Sequence, residues 1–82
     1  MVAAGTQSVT TTAAAINNGV RAMAKQVLLQ ADPDNTADIF IGNLSSQPIQ
    51  LKPGNTIVVP ADDVTDLYVR AGSTQVLNWL SA

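Results

Sequence analysis

The sequence predicts an all-β chain, and three observations carry that expectation. Short apolar runs rich in β-branched residues recur at 38–42, 49–51, 56–59, 67–71 and 74–80. Groups of turn residues separate them roughly every 8–12 residues, the spacing of small antiparallel sandwiches and barrels. None of the runs is long enough to make a stable helix. The expected fold is a small antiparallel β-sandwich or barrel of about seven short strands, with one short helical turn near residues 62–67.

Residues 1–5 read as a frayed or partner-bound start. Residues 6–16 place Thr6, Ser8, Thr10 and Thr12 at alternate positions with Val9, Thr11, Ala13 and Ala15 between them, a weak period-two pattern that favours a strand. Asn17-Asn18-Gly19 tolerates positive φ and predicts a hairpin folding 6–16 back on 21–31. Residues 21–25 would sit comfortably in a helix, whereas 25–31 alternates as a strand; without an N-cap after Gly19, strand is favoured for all of 20–31. Asp32-Pro33 stops it abruptly.

The stretch 47–72 organises the remainder. Pro53 presets φ for the first corner of a turn and Gly54 accepts the positive φ of a type II turn at the second. With the second turn group at 60–66, this predicts three strands folded back on one another as scaffold. The last strand, 74–80, sets Val76 and Leu80 opposite Leu77 and Trp79.

Eighty-two residues make a single domain, 1–82, and its first twelve residues read as an extended arm available for docking. A chain this short buries a modest core and usually needs a supplement. The sequence has no cysteine and no histidine, which excludes disulfides and the common ligands of zinc and copper. Oligomerisation or docking on a larger partner is the expected supplement. Only 12% of residues are charged and none is glutamate, so the surface is largely Thr, Ser, Asn and Gln, which suits packing against protein. A net charge of −2 with four scattered cations gives no basic patch, so no nucleic-acid partner is expected. No run of about 18 apolar residues predicts a membrane span, and residues 1–4 lack the charged and apolar regions of a signal peptide.

Candidate chemistry is weak. Asp32, Asp34 and Asp38 are spaced like the start of a calcium loop, but Thr36, Ala37 and Asn43 stand where its fifth, sixth and twelfth positions need an oxygen ligand, Gly and Glu. An Asx-rich turn explains them better. Asp62, Asp63 and Asp66 have no cationic partner close in sequence, and capping of a helical turn by Asp62 or Asp63 accounts for that group. Serine and threonine are present without histidine or a recognisable Ser–Lys spacing, and the glycines lie too far apart to cradle phosphate. No catalytic, cofactor or metal residue is assigned, and an enzyme is not expected. Phe40 reads as core. Tyr68 and Trp79 carry the polar tips favoured at interfaces, and Trp79 suits core burial or a subunit contact equally. The candidate interface residues are Thr6, Val9, Thr11, Tyr68 and Trp79.

The run Leu29-Gln-Ala-Asp-Pro-Asp-Asn-Thr-Ala-Asp-Ile-Phe-Ile-Gly-Asn43, then Leu51-Lys-Pro-Gly54, then Ile57-Val-Val-Pro-Ala-Asp-Asp-Val-Thr-Asp-Leu-Tyr-Val-Arg-Ala-Gly72, resembles small all-β structural proteins of tailed bacteriophages. The resemblance covers residues 27–72. It implies a virion component made in the host cytoplasm: a capsid cement or decoration protein on the outer shell, trimeric, with the major capsid protein as partner and no active-site residues. A tail, fibre or neck module binding a receptor or carbohydrate is the alternative it leaves open.

Overall fold

The first strand pairs with the last. In the computed structural model, which describes residues 3–82, β1 (Ala3–Val9) lies antiparallel to β8 (Gln75–Ser81) from Ala3↔Ser81 to Val9↔Gln75. β8 pairs on its other side with β3 (Gln26–Ala31), which in turn pairs with β6 (Thr56–Pro60). This sheet, of order β1-β8-β3-β6, packs against a second of order β2-β7-β4-β5. The second holds β2 (Ala14–Ala15), β7 (Tyr68–Ala71), β4 (Ile39–Gly42) and β5 (Ile49–Leu51). The chain is a small antiparallel β-sandwich, with overall dimensions of 32 × 25 × 18 Å.

Period-two alternation builds the core. Val27, Leu29 and Ala31 of β3 and Leu77 and Trp79 of β8 point inward from one sheet, meeting Ile39, Ile41, Val69 and Ala71 from the other. Ile16 and Val64 add to the core from two 3-10 turns that lie beside each other, Ile16–Gly19 and Val64–Asp66. The second turn is the helical turn expected near 62–67. Asp63 caps it, its carboxylate accepting from Thr65 N–H, as a residue with a short side-chain oxygen does at a helix start.

Several expectations are corrected. Asn17-Asn18-Gly19 makes a 3-10 turn, not a hairpin, because Ile16 is drawn into the core and its N–H bonds Leu67 O at 3.0 Å. The positive φ tolerance is still used, at Asn17 (59°) and Gly19 (81°). The strand expected over 6–16 is β1 at 3–9 with a break before β2. The strand expected from residue 20 starts at Gln26, with only a bridge between Met23 and Asp63 before it. Of the stretch expected as an arm, 1–12, residues 3–9 form β1 within the sheet, and residues 1–2 lie outside the described residues. The three strands of 47–72 do not pair with one another. β5 and β7 flank β4 in one sheet, while β6 pairs with β3 in the other. The Pro53–Gly54 turn therefore carries the chain between layers. Asn55 N–H bonds Lys52 O at 2.9 Å across that turn, and Gly54 sits at φ 83°.

Candidate interaction surface

The two outer faces of the sandwich differ in chemistry. None of the residues of β1, β8, β3 and β6 is charged. Registers put Ala4, Leu80, Leu28 and Val58 side by side, so one outward row is apolar across all four strands. Val58 is 53% exposed and Leu80 38%. The next row, Thr6, Asn78, Gln30 and Thr56, is polar, and the Asp32 carboxylate beside it accepts from Asn78 Nδ2 at 3.3 Å. Thr6 Oγ1 donates to Asn78 Oδ1 at 2.9 Å, and Asn78 Nδ2 donates to Gln30 Oε1 at 3.1 Å, which holds these side chains flat on the sheet.

The face over β7, β4 and β5 is charged and aromatic. The Arg70 guanidinium lies 4.7 Å above the Phe40 ring centroid, and its Nε donates to Gln47 Oε1 at 3.0 Å. Gln50 donates to Asp38 beside them. Phe40 is thus on an outer face and not in the core: its strand points Ile39 and Ile41 inward, which leaves the aromatic outside.

Of the candidate interface residues, Thr6 and Thr11 are exposed and Tyr68 is half-buried. Val9 at 2% and Trp79 at 6% exposure are core residues, since both share the inward phase of their strands. Neither offers surface to a partner. Nothing in the local sequence around Leu28, Val58 and Leu80 marks them as a shared surface. Their signal is the absence of charge over four separate runs, which becomes a surface only once those runs are known to share a sheet.

The aspartate groups are built into the frame. Asp32 Oδ1 accepts from Asp34 N–H at 2.9 Å, an Asx turn, and Asn35 and Gln75 tie the same loop to β8 and residues 36–37. Asp63 Oδ1 accepts from Thr65 N–H, Thr65 Oγ1 and Ala22 N–H at 3.0, 2.8 and 3.2 Å, and Arg21 Nε lies 3.5 Å from Oδ2. The Thr65 N–H foremost, with the Thr65 hydroxyl, the Ala22 N–H and the Arg21 charge, holds the Asp63 carboxyl below its ordinary value against the opposing effect of burial. Among the described residues no cluster of three acidic side chains is placed to hold a metal ion.

An open cleft of about 670 Å³ lies where the sandwich gapes between β5 and β6. Ile41, Ile49, Ile57 and Val59 line it, with Lys25 and Asp62 at its mouth. Such a wall is suited to apolar groups, and among the described residues lining it no nucleophile is hydrogen-bonded to a base. No family model, curated protein or solved structure matches the chain.

Proposed function

We propose that this β-sandwich is a structural virion protein, a cement or decoration protein that docks on the assembled head shell of a tailed bacteriophage. The likeness of residues 27–72 to such proteins suggests the setting. The observation that carries the reading is the outer face of the β1-β8-β3-β6 sheet, whose strands hold no charged residue and whose apolar row runs from Ala4 to Val58, with the Asp32 carboxylate at its border. Interface cores are depleted of charge and flat neutral surfaces pack without stranding a buried ion. Bridging neighbouring capsid subunits through this face adds buried area that must be given up before the shell opens, so the protein stabilises the shell by mass action.

The competing role, a receptor- or sugar-binding module of a tail, fibre or neck, draws on exposed aromatic rings. Here Arg70 covers Phe40 and Trp79 is in the core, which leaves Tyr68. Counting copies in purified particles against the major capsid protein tests the choice. Hundreds of copies are expected, whereas a handful at the tail or neck sinks the shell reading. The double variant Leu28→Lys/Val58→Lys should fold normally yet fail to bind stripped heads. Undiminished binding would show that another face docks.

A further inference from the structure

Exposed sheet edges expose unpaired backbone groups, and folded proteins blunt them with proline, charge, bulges or shortness. Three of the four edges here are blunted. β2 is two residues long. β5 is three residues long and lies between Pro48 and Pro53, and β6 ends in Pro60. β1 is different: seven residues, Ala-Ala-Gly-Thr-Gln-Ser-Val, with no proline and no charge, in unbroken register with β8 and with no described strand on its other side.

We propose that the β1 edge is a dimerisation site, occupied by β1 of a second copy of this chain running antiparallel to it. A strand paired with itself across a two-fold axis sets each residue type against its own neighbours, so any charge near the axis would face its like. β1 has none. With the axis at Thr6, the pairs are Thr6 with Thr6, Gly5 with Gln7, Ala4 with Ser8 and Ala3 with Val9. These are small or neutral side chains, and a central Thr–Thr pair is favourable in antiparallel sheets. The two-fold axis stands perpendicular to the sheet. The outer faces of the two paired sheets then point the same way and join into one eight-stranded surface, which doubles the area this protein offers to anything it docks on. The edge runs about 24 Å at about 3.4 Å per residue. Pairing along it buries less than about 1,200 Å² in total, the size of weak and reversible associations. The inference stands on the edge itself and does not depend on the capsid reading.

Sedimentation equilibrium on the purified chain from about 10 µM to about 1 mM should show a monomer–dimer equilibrium within that range. Thr6→Lys, which sets two ammonium groups face to face across the axis, should weaken the dimer at least about tenfold. Thr56→Lys changes the same polar row at the far edge and should leave it intact. The chain has no cysteine, so Thr6→Cys puts one thiol in each copy. Paired strands hold such residues about 4.5–5.5 Å apart, within disulfide reach, so oxidation should cross-link Thr6→Cys far faster than Thr56→Cys. A monomer at the highest concentration, a three-fold assembly, equal weakening by the two lysine variants, or equal cross-linking of the two cysteine variants would overturn the proposal.

Discussion

Gly5 lies directly across the sheet from Trp79, and the indole Nε1 stands 2.9 Å from where a Cβ on residue 5 would be. The missing side chain makes the space in which the largest core ring sits beneath β1. Gly5→Ala should therefore destabilise the fold by about 1–3 kcal/mol through overpacking, more than offsetting the entropy alanine saves in the unfolded chain. Urea unfolding followed by Trp79 fluorescence reads both the midpoint and the disturbed ring. An unchanged midpoint would mean the indole has another position open to it.

Gln7 fastens the two sheets at their β1/β2 side. Its Nε2 donates to Ala15 O at 3.0 Å and its Oε1 accepts from Asn17 N–H at 2.7 Å, in a site only 5% exposed. Gln7→Leu keeps the bulk and strands both backbone groups, which should cost about 1–3 kcal/mol. Hydrogen exchange at the Asn17 amide should accelerate well beyond that of Val69. If the two amides change alike, the loss is global and the local fastening is not as described.

Asp63 gives the fold an acid-sensitive joint. Its folded pKa lies below the ordinary 3.8, so the associated stability is fully present above that value and drains away as pH falls through the folded one. Asp63→Asn keeps an acceptor for Ala22 and Thr65 but cannot titrate. The variant should be less stable than the parent at neutral pH, with the difference shrinking below about pH 4. Parallel stability curves from neutral to strongly acidic pH would remove Asp63 from the account.

The glycines should sort by their surroundings. A Cβ at Gly42 would stand 2.7 Å from Gln47 Cα, a backbone atom that cannot step aside while Asn43 N–H bonds Ser46 O at 2.8 Å. Gly42→Ala should cost about 3 kcal/mol or more, or prevent folding. Gly54→Ala, at φ 83°, should cost about 1 kcal/mol. Gly72→Ala meets nothing within 4 Å and should stay within about 0.5 kcal/mol of the parent. Thermal denaturation of the three variants gives the order, and any other order contradicts these environments.

What could be read from the residues were local quantities. The runs at 38–42, 49–51, 56–59, 67–71 and 74–80 became strands within a residue or two, and the Asp63 cap and Pro53–Gly54 turn formed where their chemistry requires. Pairing was not readable. Asn17-Asn18-Gly19 carries the local signature of a hairpin, yet Ile16 gains more by entering the core than the two flanking segments gain by pairing. The same limit hid the surface. Alternation shows that Trp79 and Leu80 face opposite ways, but which of them faces the core depends on where the second sheet lies. That is decided by contacts between distant parts of the chain. Gln7 and Gln75 are buried for the same reason: their partners, at the β2 and 3-10 turn residues 15–17 and in the loop at 36–37, are not connected to them by any periodicity.

Because β1 has its described partner in β8, a chain emerging from the ribosome presents β1 long before anything can cover it. Throughout that interval the Ala3–Val9 segment has no β8 to pair with, and it carries no charge to keep it from pairing with the same segment of another copy. The rate at which newly made copies meet one another, set by expression level and temperature, thus becomes part of how this protein reaches its fold.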